Sequence, residues 1–228
     1  MQQFFVDEVL NIGNHVKLED DILYHLQKVL RKDSDYTFRL CDPTGRIFFA
    51  HLFDKQSCVV DDSSDENNEL ANQITCILSL FKNDRYEFCV QKLVELGVSR
   101  IVPYEAYRSV VKAKDDKKLM RLKKIVKEAA CQSHRNRIPE VTNAAGIDDL
   151  KRFMSDRNYI CYENYRDDSG IDTAGNITYI IGPEGGFDPG EYEKIVSFGF
   201  APISLGKRIL RAETAAIYLT SVIISRCQ

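Results

Sequence analysis

The stretch Ile180-Ile-Gly-Pro-Glu-Gly-Gly-Phe187 places three glycines, one proline and one carboxylate directly after a run of apolar residues. The run at 176–181 is rich in β-branched and aromatic side chains and carries little charge, which predicts a short buried strand. Asp188-Pro-Gly-Glu191 then supplies an N-cap residue, a proline at the first helical position and a carboxylate three residues after the cap. The stretch therefore predicts a strand, a glycine-rich loop and a helix, the junction at which open α/β sheets bind ligands. A tight turn closed by glycines is the plain alternative.

A second junction of the same kind follows, with a predicted strand at 201–205 and a loop that runs from Gly206 into a helix ending near Ser225. The loop carries two arginines and one glutamate close to the helix start, where backbone N–H groups lack partners within the helix. Because two such junctions lie close together in the sequence, we predict that residues 182–186 and 205–215 form one pocket.

The composition is that of a soluble globular protein: 228 residues, 44% hydrophobic and 29% charged. The N-terminus lacks the basic flank and long apolar core of a signal peptide, and no apolar run approaches the ~20 residues of a membrane span. The seven cysteines and four histidines are scattered, without the spacing of a disulfide framework or a zinc site. We therefore expect reduced cysteines, a cytoplasmic location, no membrane contact and no bound metal.

The net charge of −3 gives no sign of a nucleic-acid partner, but the segment 112–137 does. It holds ten basic and three acidic residues, so its charge is 10 − 3 = +7. A local basic patch is what binding to a phosphate backbone requires, although a solvated helix face is the alternative. The basic residues are Lys112, Lys114, Lys117, Lys118, Arg121, Lys123, Lys124, Lys127, Arg135 and Arg137.

Two regions with different patterns predict two domains. Residues 1–60 show short strand candidates and one helix at 19–31, a pattern typical of the small barrels that often bind single-stranded nucleic acid. The acidic stretch 61–69 predicts the boundary. From Ile74 onward strands and helices alternate, which predicts an α/β domain with a parallel sheet covered on both faces. The strand candidates are 4–6, 36–40, 46–53, 58–60, 74–80, 100–104, 159–162, 176–181 and 201–205.

Residues 181–187 and 205–215 resemble the cofactor loops of the SPOUT-class methyltransferases. The closer resemblance is to the bacterial enzymes that methylate N3 of a uridine in small-subunit ribosomal RNA, and it spans both domains through residues 25–31, 91–98 and 132–140. The resemblance implies an N-terminal PUA-like β-barrel and a C-terminal SPOUT α/β domain with a trefoil knot, here at residues 1–68 and 70–228. It also implies S-adenosyl-L-methionine as cofactor, small-subunit ribosomal RNA or the assembled subunit as partner, and a homodimer whose sites are completed across the interface.

Two positions depart from the family pattern. Gln3 stands where an arginine is usual, which lowers the expectation of RNA contacts from the N-terminal edge, and Ala212 stands where threonine is usual. The linker at 61–69 is also more acidic than in the family.

The resemblance assigns cofactor binding to the two loops. The rigid backbone of 182–186 can hold an adenine edge, while Leu205, Ile209 and Leu210 can enclose its ring. We expect Gly185→Val to abolish cofactor binding because a β-branched side chain resists a positive φ. The predicted cofactor-binding residues are Gly182, Pro183, Glu184, Gly185, Gly186, Leu205, Gly206, Ile209, Leu210, Arg211, Thr214 and Ala215.

Uracil N3 carries a proton that must leave before or during methyl transfer, so the reaction needs a base or donors that stabilise charge on the uracil oxygens. The candidate catalytic residues are Arg211, Glu213 and Arg135, and no residue stands out as the base. Glu213 could instead stabilise its helix start, and Arg211 could pair with Glu184 or Glu213. The predicted RNA-binding residues are Arg31, Arg108, Lys123, Lys124, Gln132, Arg135 and Arg137.

The sequence is also compatible with three alternative functions. A non-catalytic RNA-binding protein would use the barrel and the basic helix but would not need the loops, and a methyltransferase of the same class could act on a different RNA. A nucleotide-phosphate binder would use the glycine-rich loop as a phosphate cradle, but Glu184 would repel phosphate and no Gly-Lys-Ser/Thr follows.

The final helix, at about 212–225, carries more apolar residues than one face packed on a sheet needs. A symmetric partner would cover the excess, which predicts a homodimer that Ile223→Glu should disrupt. A helix buried within one subunit is the alternative.

Overall fold

A computed structural model describes residues 1–31, 36–112, 116–166 and 170–227. The chain forms two compact units. The first comprises Met1–Glu69 and Ala130–Arg137, and the second comprises Leu70–Ala129 and Ile138–Gln228. Residues 130–137 thus group with the first unit, whereas the sequence prediction placed them in the second domain.

The first unit contains a five-stranded mixed sheet in the order β1-β3-β4-β5-β2. Strand β1 pairs with β3 in parallel, and the other neighbouring pairs are antiparallel. A short helix α1 (Asp20–Tyr24) continues into a π-helical stretch (His25–Val29) where one helix was predicted. Closure into a barrel stays a prediction. The strands are β1 (Gln3–Phe5), β2 (His15–Lys17), β3 (Thr37–Cys41), β4 (Ile47–Leu52) and β5 (Ser57–Ser64).

Strand β5 runs into the segment predicted as a linker. Its residues up to Ser64 pair with β4, and the register shifts between Phe49 and Ala50. The hydrogen bonds between β4 and β5 therefore continue although Asp61 and Asp62 are polar and exposed. This is possible because one face of an antiparallel sheet can lie in water while the backbone remains paired. The polar composition predicted a linker from residue 61 onward, but residues 61–64 belong to strand β5.

The second unit contains a six-stranded parallel sheet in the order β11-β9-β10-β6-β7-β8. This confirms the predicted α/β pattern, and the short strand β8 was missed. Whether the chain is knotted stays a prediction. The strands are β6 (Ile74–Ser79), β7 (Arg100–Tyr104), β8 (Glu140–Val141), β9 (Arg157–Cys161), β10 (Ile177–Ile181) and β11 (Ala201–Ile203). The helices are α2 (Asn83–Glu95), α3 (Asp116–Gln132), a 3₁₀ helix (Ile147–Phe153), α4 (Pro189–Ser197) and α5 (Ala212–Cys227).

Helices lie on both faces of the parallel sheet. Ile180 belongs to an apolar cluster that includes Leu150 of the 3₁₀ helix and Ile195 of α4. Its neighbour in β10, Tyr179, points to the opposite face, because successive side chains of a strand alternate. There the Tyr179 hydroxyl lies 2.5 Å from Oγ1 of Thr220 in α5. The central strand β10 is therefore buried on both faces. This packing holds the end of the strand, from which the glycine-rich loop begins.

Helix α5 buries most of the apolar side chains that predicted a dimer. Ile223 is fully buried within the second unit and Ile224 nearly so. Ile223→Glu would therefore disturb the subunit core and does not test an interface. Tyr218 of α5 and Phe88 of α2 are each 50% exposed, and they are better probes of the predicted homodimer.

In the described parts of the chain, no helix combines the length and the apolar character that crossing a membrane requires. Within the same residues, no group of three or more metal-binding side chains is found.

Candidate functional site

A cavity of about 360 Å³ lies at the carboxyl ends of β9, β10 and β11. Its volume is in the range of small-molecule sites, and its position is where open α/β sheets bind ligands. Both predicted loops line it, although Gly185 and Thr214 do not. The predicted residues that line it are Gly182, Pro183, Glu184, Gly186, Leu205, Gly206, Ile209, Leu210, Arg211 and Ala215.

The glycine with the demanding backbone is Gly186. Its φ is +67°, and a Cβ there would overlap the carboxylate of Glu163. Gly185 has no positive φ, and a Cβ there would lie 3.6 Å from Cβ of Arg108. The reason given for Gly185→Val is therefore wrong: the conformation that excludes other residues belongs to Gly186.

A buried carboxylate fixes the far end of the glycine-rich loop. Glu191 in the first turn of α4 is fully buried and accepts hydrogen bonds from the Tyr104 hydroxyl (2.5 Å) and the Tyr107 N–H (3.0 Å). It also accepts from the Asp188 N–H (3.4 Å), which completes the predicted capping box. Burial and this carboxylate together raise the pKa of Tyr104 well above its ordinary value, so the hydroxyl stays a donor. The end of β7 therefore anchors the helix that follows the loop.

Arg108, which follows strand β7, contacts the same glycine-rich loop. Its guanidinium donates to the Gly185 carbonyl (3.3 Å) and to Oδ2 of Asp188 (3.3 Å), and its side chain is exposed. The sequence predicted Arg108 for RNA binding, and that role stays a prediction. The geometry adds a second role, which is to hold the loop from outside.

Arg85, which the sequence analysis missed, reaches the cavity from helix α2. It forms ion pairs with Glu184 of the first loop and, at 3.5 Å, with Glu213 of α5. The sequence suggested Arg211 for these pairs, but Arg211 is exposed at the cavity wall. No local pattern places Arg85 here, because it lies about 100 residues from Glu184 in the sequence.

The end of strand β9 supplies a further part of the wall through Cys161, Tyr162 and Glu163. The Tyr162 ring stacks on Tyr192 of α4 with 3.9 Å between centroids. Burial raises the pKa of the Cys161 thiol to about 12, so this cysteine is a neutral lining group. These residues could have been predicted from the sequence. A strand was predicted at 159–162, and the carboxyl ends of neighbouring parallel strands meet at one edge of the sheet.

Arg135 does not reach solvent. Its side chain is 4% exposed, and its guanidinium binds the Glu69 carboxylate through Nη2 (2.5 Å) and Nε (2.9 Å). Its carbonyl accepts a hydrogen bond from Nε2 of Gln3, which is fully buried. This geometry favours a structural role for Arg135 in the first unit over the predicted catalytic and RNA-binding roles. Gln3 likewise packs inside the unit and does not present an edge to a ligand.

Helix α3 is amphipathic, with Leu122, Val126, Ala129 and Ala130 buried. Part of its basic face is paired within the protein, since Arg121 binds Glu87 at 2.7 Å. Lys114 of the basic segment lies outside the described residues. The other predicted RNA-binding residues are exposed: Arg31, Arg108, Lys123, Lys124, Gln132 and Arg137.

A larger recess of about 1000 Å³ lies beside the N-terminal half of α3, near the ends of β6, β7 and β8. Some of its charged wall residues pair with one another, as Lys112 does with Glu105 at 2.7 Å. The recess carries about as many carboxylates as cations, so its charge does not favour a phosphate ligand.

Comparison with known proteins gives the family. The RNA methyltransferase domain family matches residues 68–224, which include both loops of the cavity. The chain belongs to this family. Ribosomal RNA small subunit methyltransferase E of Mesomycoplasma hyopneumoniae is 34% identical over 96% of this chain and 97% of its own length. The protein of the same name from Bacillus subtilis is 31% identical over 98% of this chain and 96% of its own.

Solved structures in the same family agree in fold. Ribosomal RNA small subunit methyltransferase E from Neisseria gonorrhoeae, crystallised with S-adenosyl methionine, is 32% identical with a TM-score of 0.91 over 99% of this chain and 98% of its own. A Legionella pneumophila structure with S-adenosyl methionine as the bound cofactor is 29% identical with a TM-score of 0.90, over 98% and 97% of the two chains.

Proposed function

We propose that this chain is an S-adenosyl-L-methionine-dependent methyltransferase that methylates N3 of a uridine in small-subunit ribosomal RNA. The observation that carries the proposal is the cavity closed by residues 182–186 and 205–215 at the carboxyl ends of three parallel strands. Support comes from the family match and from the cofactor bound to the Neisseria gonorrhoeae relative.

The residues of the cavity fit the cofactor. Apolar side chains at Ile203, Ile209 and Leu210 can enclose an adenine ring. The missing Cβ of Gly186 leaves room for the Glu163 carboxylate at the cavity wall. Carboxylates at Glu163 and Glu184 suit a ligand that carries hydroxyl groups and a positive sulfur. When bound, the cofactor supplies an activated methyl group. We propose that the predicted residues that line the cavity contact the cofactor, and that Gly185 and Thr214, which do not line it, contribute through their neighbours in the two loops.

The chain's own residues then hold and orient the ligands. Residues 182–186 and 205–215 would hold the cofactor and orient its methyl group towards the nitrogen that accepts it. Arg211 is exposed at the cavity wall, where its guanidinium can donate to a uracil oxygen and stabilise the negative charge that develops as N3 loses its proton. The exposed cations Lys123 and Lys124 of α3, together with Arg31, Arg108, Gln132 and Arg137, are proposed to contact RNA.

The phosphate-binding alternative fits less well. The cavity wall carries three arginines beside its two carboxylates, so its charge alone does not exclude a phosphate ligand. No Gly-Lys-Ser/Thr follows the glycine-rich loop, however, and a phosphate-binding loop of this kind requires one. A non-catalytic RNA-binding protein would have no use for a preformed cavity of this size beside a strained glycine. Transfer to another RNA remains an outcome of the test below.

Finer features belong to the same proposal. We propose a PUA-like RNA-binding barrel at 1–68, a SPOUT domain with a trefoil knot at 70–228, a homodimer and a cytoplasmic site of action.

The exposed Tyr218 supports the dimer. Sedimentation of Tyr218→Glu should give monomers from a dimeric wild type, while a wild type that sediments as a monomer at micromolar concentration would contradict the dimer.

Methyl transfer tests the function. Purified protein and labelled S-adenosyl-L-methionine are incubated with small subunits from cells that lack the modification, with large subunits as control, and the RNA is digested to nucleosides for mass spectrometry. We expect 3-methyluridine from small subunits only. Another methylated nucleoside would change the target, and no transfer to either subunit would contradict the proposal.

A further inference from the structure

A single guanidinium connects the two loops of the cavity. Arg85 lies in the first turn of α2, and its side chain is 35% exposed. Nη2 pairs with Glu184, which follows β10, and Nη1 lies 3.5 Å from Oε1 of Glu213 in the first turn of α5. Arginine suits such a bridge because its planar fork presents several donors in fixed directions.

The two carboxylates have different surroundings. Glu184 lines the cavity and is exposed, whereas the Glu213 side chain is only 12% exposed and does not line the cavity. Oε2 of Glu213 is buried and has no hydrogen-bond partner among the described residues. A general base must come within hydrogen-bond reach of the proton that it removes, and Glu213 is not among the residues that line the cavity.

We propose that Arg85 is a positioning residue of the cofactor cavity and that Glu213 is its anchor, not the base of the reaction. This inference rests on the proposed function. Glu213 holds Arg85 from inside the fold, and Arg85 in turn holds Glu184 and the glycine-rich loop at the distance that the cofactor needs. Without the guanidinium, the buried Glu213 charge loses its compensation and two carboxylates repel each other across the loops.

Calorimetric titration with S-adenosyl-L-methionine tests the role of Arg85. Arg85→Met should raise the Kd at least tenfold. Because this substitution leaves the buried Glu213 charge without its partner, it should also lower Tm, so the titration is run well below the unfolding transition. Arg85→Lys should fall between this variant and wild type, since an ammonium keeps the charge but lacks the fork. Lys92→Met is the matched control, because Lys92 is on the same helix, is similarly exposed and pairs with Glu95 at 2.8 Å. An unchanged Kd in Arg85→Met, or an equal change in Lys92→Met, would overturn the proposal.

Glu213→Gln separates an anchor from a base. An anchor predicts a weaker cofactor Kd, a kcat within a few-fold of wild type at saturating cofactor, and little further loss when combined with Arg85→Met. A base predicts an unchanged Kd and a kcat lowered by about a hundredfold or more. The second result, or additive effects in the double variant, would overturn the proposal. Failure of the proposed function is distinguishable, because the wild type would then bind no S-adenosyl-L-methionine.

Discussion

The two loops of the cavity differ in how firmly the rest of the fold holds them. Residues 182–187 are fixed by Arg85, by Arg108 and by the buried Glu191 at the start of the next helix. Residues 204–211 are mostly exposed, and Ile209 is 85% exposed although it lines the cavity. The first loop is therefore organised before a ligand arrives, whereas the second offers apolar surface that a ligand can cover.

This difference suggests a division of work. A preorganised backbone saves the free energy that ordering a loop would cost on binding, so the glycine-rich loop should decide which ligand binds. An exposed apolar side chain contributes only when the ligand buries it, so the second loop should adjust the affinity. Changes to the first loop and its anchors should accordingly have larger effects than changes to the second.

The folded chain should lose stability at alkaline pH through its buried tyrosines, one of which, Tyr104, anchors the first loop through Glu191. Burial raises the pKa of Tyr86, Tyr104 and Tyr179 above the ordinary value of 10.0. Above pH 10 the unfolded chain releases these protons while the folded chain retains them, so the contribution of these tyrosines to stability is complete below pH 10 and falls as pH rises. Each tyrosine should remove about 1.4 kcal/mol per pH unit.

Urea unfolding between pH 8 and 11.5 measures this loss, with Tyr104→Phe as the comparison. Phenylalanine has no proton to lose, so its slope above pH 10 should be shallower, while its stability at pH 8 should be about 1–3 kcal/mol lower because Glu191 loses a donor. Equal slopes in the two proteins would contradict the buried position of Tyr104.

Gly186→Ala should have the largest effect on the ligand. A non-glycine residue at a positive φ costs about 1–2 kcal/mol, and the Glu163 carboxylate would have to move away from the new Cβ. We expect a rise of about tenfold in the S-adenosyl-L-methionine Kd by calorimetry. Gly185→Ala is the matched control and should bind nearly as wild type, since its backbone is unstrained and the nearest atom is 3.6 Å away. Equal effects of the two variants would show that strain in this loop does not matter.

The second loop should respond more weakly. Ile209→Ala should raise the Kd by only a few-fold, because a ligand that covers part of this side chain would lose about one methylene equivalent of buried contact, about 0.8 kcal/mol, and it should leave Tm unchanged. Val110→Ala is the control, since Val110 is 81% exposed and does not line this cavity. A change in Tm for Ile209→Ala would mean that Ile209 is packed in the free protein, contrary to its exposure.

Cys161 should matter least. Because burial raises the pKa of its thiol to about 12, it is neutral at physiological pH and cannot act as a nucleophile. Cys161→Ala should keep methyl transfer within about twofold of wild type, and iodoacetamide at pH 7.5 should leave Cys161 unlabelled by mass spectrometry. Rapid labelling would show that the thiol is more accessible than the structure indicates.

Local patterns predicted the parts of this site that local sequence determines. The two loops, the capping box at Asp188 and the parallel sheet follow from glycine spacing, capping residues and the alternation of strands with helices. Such patterns do not predict which glycine has the positive φ, because two adjacent glycines differ only in the backbone geometry of the turn.

Long-range placement was beyond the same patterns. Arg85 reaches the cavity from a helix distant in sequence, and Arg135 is buried because residues 130–137 pack within the first unit. A basic residue on a basic segment looks the same in the sequence whether it faces RNA or a buried glutamate. The short strands β2 and β8 were missed because two or three residues carry too little periodicity.

Calorimetric titration of the wild-type chain with S-adenosyl-L-methionine, and separately with ATP, tests the central claim most directly. The account predicts that one S-adenosyl-L-methionine binds per chain, that S-adenosylhomocysteine displaces it, and that ATP at the same concentration gives no binding heat. Binding of ATP in the absence of S-adenosyl-L-methionine binding would contradict the claim that the two loops form a methyl-donor site.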